Sequence, residues 1–130
     1  MLTVVAALIL SEGKLLVCQR KRGTSFDMMW EFPGGKVKLG ETHERALVRE
    51  LEEELGTHAT IGPEVYRTQH RYAELSEPIE LIFFRAQLDA TKVRNLAFEQ
   101  IEWIAAAELP SKNFLPADRE LIEKLAGDGL

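Results

Sequence analysis

The chain has 130 residues, of which 45% are hydrophobic and 28% are charged, and its formal net charge is −5. This length and composition fit a single globular domain over residues 1–130. The acidic balance argues against binding to duplex nucleic acid, which normally requires a basic face. Cys18 is the only cysteine and cannot form an internal disulfide, so the reducing cytoplasm is the expected location.

The apolar run over residues 2–10 is too short to span a bilayer as a helix. No Lys or Arg precedes this run and no small-residue cleavage site follows it, so a signal peptide is not expected. Its paired Val and Leu-Ile residues indicate a buried strand instead. We therefore expect no association with a membrane.

Apolar segments separated by turn residues predict six strands along the chain. They cover residues 2–10, 14–20, 30–32, 59–71, 79–88 and 98–104. The polar loop over residues 21–29 could flank a substrate. Residues 33–35, Pro-Gly-Gly, are expected to form a turn because proline fixes φ and glycine allows conformations closed to other residues.

Two helices are predicted among these strands. The first covers residues 42–55, with Thr42 as the N-cap and Gly56 as the terminating residue. The second covers residues 117–125. Strands in runs with two inserted helices indicate an α+β chain that forms a sandwich around a mixed sheet.

Three carboxylates gather on one face of the first helix. Glu50, Glu53 and Glu54 share an arc of roughly 100° beside an apolar stripe. Like charges at this spacing destabilise an isolated helix by about 0.2–0.5 kcal/mol per pair. A divalent cation such as Mg²⁺, which bridges carboxylates to phosphates, would compensate the repulsion. The alternative is a solvated acidic face, which is commoner for an arbitrary acidic run.

The spacing around these carboxylates matches a known motif. Gly35, five residues, Glu41, seven residues and then RELEEELG resemble the Nudix box, here residues 35–57. Thr57 departs from the family, which usually has an aliphatic residue there. The flanking WEFPGGK and GET resemble the MutT branch of the Nudix hydrolases. The resemblance covers nearly the whole chain and implies a single Nudix hydrolase domain, an α/β/α sandwich with a mixed β-sheet and two main helices.

The resemblance also implies a metal site. It assigns Mg²⁺, for which Mn²⁺ can substitute, to Glu50, Glu53, Glu54 and the backbone carbonyl of Gly35. Glu50 is the candidate general base, with Glu53 or a loop glutamate as the alternative. Glu99 is the candidate for a further metal-linked glutamate and is preferred to Glu102, which reads equally well as an outward strand residue.

Arg49 is expected to orient this site. We expect salt bridges from Arg49 to Glu41 and Glu50 that fix the loop against the helix. An ordinary surface ion pair is the alternative and would contribute under about 1 kcal/mol.

The resemblance implies a base pocket formed by Arg20, Glu31, Phe32 and Asp118. Asp118 stands where MutT itself has Asn. An amide both donates and accepts, whereas an ionised carboxylate only accepts and would favour amino-bearing edges such as the N4 amine of cytosine. A protonated Asp118 would mimic Asn and read the O6 and N7–H edge of oxidised guanine, but this requires a raised pKa. Asp118 as an acid at a helix N-terminus is the structural alternative.

These residues imply a Mg²⁺-dependent nucleoside triphosphate pyrophosphohydrolase of MutT type. Its substrates would be oxidised or modified triphosphates such as 8-oxo-dGTP, and its role nucleotide-pool sanitation in DNA repair. A hydrolase of CTP or 5-methyl-dCTP is the alternative within this class. The alternative from another class is a non-catalytic interaction domain, although such domains usually lose glutamates from the box. A monomer is the default expectation.

Overall fold

The computed structural model describes residues 1–129. Within these residues the chain forms seven β-strands and two α-helices. The strands are β1 (Leu2–Ser11), β2 (Lys14–Gln19), β3 (Trp30–Glu31), β4 (Gly34–Lys36), β5 (Thr60–His70), β6 (Ile79–Gln87) and β7 (Gln100–Ile104). The helices are α1 (His43–Leu55) and α2 (Arg119–Asp128), and short 3-10 turns cover Ala90–Lys92, Ala106–Ser111 and Pro116–Asp118.

The sheet is mixed, as the sequence predicted. Its strand order is β3-β2-β1-β6-β5, with β4 paired to β1 and β7 paired to β2. β1 and β6 run parallel, and the other pairs are antiparallel. β1 is therefore the central strand, in contact with β2, β4 and β6.

β1 divides the core into two layers because its side chains alternate between the two faces of the sheet. One face carries Val5, Ala7 and Ile9 and packs against α1. The other carries Ala6 and Leu8 and packs in one cluster with the apolar side of α2. This arrangement confirms the predicted α/β/α sandwich with two main helices.

The predicted turn over residues 33–35 is wrong, because Gly34 and Gly35 belong to a strand. β4 pairs with β1, and Gly34 lies opposite Ala6. Gly34 has φ +156°, and a Cβ there would overlap the backbone carbonyl of Val5. Glycine is thus needed for the close approach of two strands rather than for a chain reversal.

Two other elements differ from the prediction by more than one residue at a boundary. The last strand begins at Gln100 and not at residue 98, because the Asn95 side chain binds both the N–H and the carbonyl of Phe98 and holds that residue in a turn. The closing helix begins at Arg119 after the 3-10 turn Pro116–Asp118, and it extends to Asp128. No helix among residues 1–129 is both long and apolar enough to cross a membrane.

Candidate active site

The acidic face of α1 is set by the two ends of the helix and by its buried side. The Thr42 hydroxyl accepts from the N–H of Arg45 at 3.1 Å, and Gly56 ends the helix with φ +68°. The buried residues of the helix fix its rotation against the sheet: Ala46, Leu47, Leu51 and Leu55. Two of the three predicted carboxylates, Glu50 and Glu54, consequently lie beside the strand β4.

Glu54 connects the helix directly to β4. Its Oε1 accepts from the N–H of Gly34 at 3.0 Å. Burial, followed by the charges of Glu31 and Glu50, raises the pKa of Glu54 to about 9. The hydrogen bond from Gly34 offsets only part of this rise. Several carboxylates are therefore close enough to repel one another here.

Gly35 packs against the carboxyl group of Glu50. A Cβ at position 35 would lie 2.7 Å from Glu50 Oε1 and closer still to the rest of that carboxyl group. The backbone of Gly35 has an ordinary φ, so space and not conformation requires glycine. The absence of a side chain brings the loop backbone and the helix carboxylate together.

Arg49 binds the loop and the helix at once. Its Nε and Nη2 donate to the two carboxylate oxygens of Glu41 at 2.7 and 2.9 Å, and Nη2 also donates to the carbonyl of Lys36 at 3.0 Å. Its Nη1 donates to Glu50 Oε1 at 2.8 Å and lies 3.4 Å from both oxygens of Glu53. The predicted contacts with Glu41 and Glu50 are present.

This network also affects protonation. The hydrogen bonds from Arg49, followed by that from the backbone of Lys38, lower the pKa of Glu41 to about 2. The same ion pair raises the pKa of Arg49. The charged guanidinium of Arg49 therefore connects the loop to the helix through several hydrogen bonds in a fixed geometry.

The donor set fits a hard divalent cation. Among residues 1–129, no three His, Cys, Asp or Glu side chains already converge as a metal site. Glu50 is held by Arg49 and Glu54 by Gly34, while Glu53 is 55% exposed. Nevertheless, the three carboxylates supply the oxygen ligands that such a cation prefers, and a cation would relieve the repulsion that adds to the effect of burial on the pKa of Glu54.

A cavity of about 480 Å³ adjoins these carboxylates. Gly35 and Glu54 line one part of it. The cavity is also lined by all four residues predicted for the base pocket: Arg20, Glu31, Phe32 and Asp118. The structure thus brings the predicted base pocket and part of the predicted metal site into one space.

Arg20 and Glu31 form an ion pair in the cavity wall. Arg20 Nη1 lies 3.1 and 3.2 Å from the two carboxylate oxygens of Glu31, and Arg20 Nε donates to the carbonyl of Ser25 at 2.7 Å. Burial raises the pKa of Glu31, and this effect exceeds the opposite effect of Arg20. Phe32 is only 3% exposed and contacts the rings of Phe83 and Phe114.

Asp118 is a buried acid in the wall of the cavity. It is 3% exposed and occupies the N-cap position of α2, where the structural alternative places it, although its side chain makes no capping hydrogen bond. Burial and the charge of Glu31 raise the pKa of Asp118 well above its usual value. This shift is in the direction of the protonated form, which can both donate and accept.

Glu99 and Glu102, the two candidates for the extra metal-linked glutamate, contact different parts of the chain. Glu99 is exposed, and its Oε1 accepts from the backbone N–H of Arg22 at 3.2 Å. Glu102 pairs with Lys112 at 2.7 Å. The contact of Glu102 with Lys112 agrees with a surface role, and the metal role of Glu99 stays a prediction.

The cavity lining includes residues that were not predicted from the sequence as site residues, among them Phe26, Tyr72 and Leu75. Phe26 belongs to the loop after β2 and has φ +54°, whereas Tyr72 and Leu75 lie between β5 and β6. An aromatic residue in a loop only weakly predicts a binding cavity from the sequence, because contacts with distant parts of the chain decide whether it lines one.

Comparison with known proteins agrees with this geometry. A family model described as the NUDIX domain matches residues 1–125. The chain belongs to the Nudix family. This Nudix domain is 35% identical over 123 residues to the CTP pyrophosphohydrolase of Escherichia coli K12, covering 95% of this chain and 90% of that protein. It is 35% identical over 127 residues to the 8-oxo-dGTP diphosphatase of Haemophilus influenzae, covering 96% of this chain and 91% of that protein.

Solved structures share the fold of the Nudix domain. The solution structure of the E. coli ORF135 protein has a TM-score of 0.77 and 34% identity, covering 98% of this chain and 89% of that chain. The MutT Nudix hydrolase of Burkholderia pseudomallei has a TM-score of 0.82 and 29% identity, covering 95% and 97%. The protein is a hydrolase that acts on a phosphoric anhydride, and Nudix hydrolases generally need a divalent metal ion.

Proposed function

We propose that this Nudix hydrolase is a Mg²⁺-dependent nucleoside triphosphate pyrophosphohydrolase of MutT type. It would convert oxidised or modified nucleoside triphosphates and water into nucleoside monophosphates and pyrophosphate. The observation that carries this proposal is the shared cavity. Glu54 and Gly35 line it beside the α1 carboxylates, and the buried acid Asp118 lines it as well. One substrate could therefore extend its phosphates towards α1 and its base towards Asp118.

The α1 carboxylates would hold the cation. Glu50, Glu53, Glu54 and the Gly35 carbonyl are the proposed ligands, and a bound Mg²⁺ would supply Lewis acidity and make water a better nucleophile. Arg49 orients Glu50 through the 2.8 Å bond to Oε1. This leaves Glu50 Oε2 as our candidate acceptor for the proton of the attacking water.

Base selection would depend on the protonation of Asp118. The O6 and N7 of ordinary guanine both accept, whereas oxidation at C8 places a hydrogen on N7. A protonated carboxyl group can donate to O6 and accept from N7–H, which gives two hydrogen bonds with the oxidised base. With ordinary guanine one acceptor faces another, so the oxidised base is preferred.

The same chemistry supports cytidine nucleotides as a second candidate. Cytosine presents the acceptor N3 beside the donor N4 amine, and a protonated Asp118 matches that pair equally well. The 35% identity to the E. coli CTP pyrophosphohydrolase supports this candidate to the same extent as the 35% identity to the H. influenzae 8-oxo-dGTP diphosphatase supports the first. The two candidates share one prediction: a base that offers two adjacent acceptors is a poor substrate.

The decisive assay measures, with Mg²⁺, pyrophosphate release from 8-oxo-dGTP, dGTP, CTP and 5-methyl-dCTP, and AMP release from ADP-ribose. We expect kcat/KM for 8-oxo-dGTP to exceed that for dGTP by about 100-fold or more, because a misplaced acceptor leaves polar groups unpaired. Glu50→Gln is the control for contaminating phosphatases. A preference for CTP and 5-methyl-dCTP would support the second candidate. Equal rates for 8-oxo-dGTP and dGTP, or hydrolysis of ADP-ribose alone, would contradict the proposal.

A further inference from the structure

Tyr72 makes a hydrogen bond next to the proposed base-reading residue. Its side chain is 7% exposed, and its hydroxyl oxygen accepts from the backbone N–H of Ala117 at 3.1 Å. Ala117 belongs to the 3-10 turn Pro116–Asp118 that leads into α2. Backbone donors at the start of a helix lack partners within the helix, so this hydroxyl satisfies a buried N–H that would otherwise be unpaired.

The ring of Tyr72 also contacts a second segment of the cavity wall. Its centroid lies 4.8 Å from that of Phe26, in the loop between β2 and β3, at an interplanar angle of 52°. The ring centroid of His70, at the end of β5, lies 4.4 Å from that of Tyr72. The segment between β5 and β6, the loop after β2 and the start of α2 therefore meet at one side chain.

Tyr72, Phe26 and Asp118 all line the 480 Å³ cavity. The N–H of Asp118 donates to the carbonyl of Leu115 at 2.9 Å. The turn is therefore held by one hydrogen bond of its own and by a second one to Tyr72. A shift of this turn would move the Asp118 carboxyl group relative to a bound base. Hydrogen-bond discrimination is sensitive to such shifts because the bonds weaken steeply with poor geometry.

We propose that Tyr72 is a positioning residue for base discrimination. Its hydroxyl holds the turn that carries Asp118, and its ring holds Phe26 against the same cavity. This inference rests on the proposed function, because it takes the cavity to be the base pocket of a nucleoside triphosphatase. Tyr72 has no part in the hydrolytic step, so its loss should affect the choice between bases more than turnover.

The test is the variant Tyr72→Phe, which keeps the ring and removes only the hydroxyl. Tyr66→Phe is the matched control, because it makes the same chemical change on β5, where the hydroxyl interacts with Glu120 and Thr68. We would measure kcat and KM for 8-oxo-dGTP, dGTP and CTP together with thermal unfolding. The result expected for Tyr72→Phe is a fall of about tenfold in the ratio of kcat/KM between the preferred base and dGTP. The change should lie in KM, with kcat for the preferred base within about threefold of the wild type.

A double variant tests whether Tyr72 acts through Asp118. In an Asp118→Ala background the reading group is absent, so Tyr72→Phe should cause no further loss of discrimination. If Tyr72→Phe fails to fold, Phe26→Leu tests the ring contact and should reduce the same ratio. An unchanged ratio in a folded Tyr72→Phe variant of an active, discriminating enzyme would overturn the inference and leave the proposed function standing. If the wild type hydrolysed none of the triphosphates, the proposed function would be overturned and this inference with it.

Discussion

The substitution Gly35→Ala isolates the contact between the β4 backbone and the helix carboxylate. A Cβ at this position would lie 2.7 Å from Glu50 Oε1, whereas unstrained contacts of heavy atoms lie at about 3.5–4.0 Å. The Glu50 carboxyl group must therefore move by roughly 1 Å. The end of a flexible side chain can make this shift, so we expect the melting temperature to change by less than about 3 °C. A misplacement of about 1 Å can cost on the order of 100-fold in rate, and we expect that loss in kcat/KM.

Gly34→Ala is the contrasting control for this experiment. Its Cβ would overlap the backbone of Val5 at φ +156°, and neither strand can yield without loss of the β1–β4 pairing. We expect this variant to lose at least about 2 kcal/mol of unfolding free energy. Pyrophosphate release and thermal unfolding would be measured for both variants. Gly35→Ala with activity within threefold of the wild type would refute the reasoning, because it would show that the position of the Glu50 carboxyl group does not matter.

Three further predictions concern the same site. Glu50→Gln should lower kcat by at least about 100-fold with little loss of thermal stability, and wild-type turnover would remove Glu50 from the mechanism. Arg49→Lys should lower kcat/KM by about 10- to 100-fold, because a single ammonium cannot bind Glu41 and Glu50 together. The control Arg45→Lys, on the exposed side of the helix, should leave kcat/KM unchanged. The pKa of Asp118 is raised in the folded protein. Its contribution to the free energy of unfolding is therefore fully present below the pKa that Asp118 has in the unfolded chain, and it is lost as the pH rises through the pKa in the folded protein. Asp118→Asn should therefore stabilise the protein more at pH 8 than at pH 5 in thermal unfolding, and parallel pH profiles of the two proteins would count against the buried acid.

The helix of the site could be predicted because all its determinants are local. Thr42 and Gly56 define its ends, and the carboxylates and leucines repeat at the period of one turn. The contacts of Arg49 with Glu41 and Glu50 were likewise predictable, since they lie within the same short motif. Local spacing determines these features, and distant parts of the chain only pack against them.

The strand β4 could not be predicted for the opposite reason. Pro-Gly-Gly is a strong turn signal, and nothing nearby in the sequence indicates that Gly34 lies opposite Ala6 in a sheet. The close approach to Val5 is what requires glycine, and that contact joins residues far apart in the chain. Tyr72 was missed in the same way, because its hydrogen bond to Ala117 joins positions 45 residues apart.

The protonation of Asp118 also depends on distant contacts. Residue type alone left an ionised and a protonated form open, and they imply different base edges. Burial and the neighbouring Glu31 favour the protonated form, and Glu31 raises the pKa of Glu54 as well. One carboxylate thus acts on both parts of the cavity. Its charge adds to the negative charge that a cation would neutralise beside α1, and it also adds to the effect of burial on the pKa of Asp118 at the proposed base pocket. Glu31→Gln should therefore weaken cation binding and base discrimination together, which is not expected if the two parts of the cavity are independent.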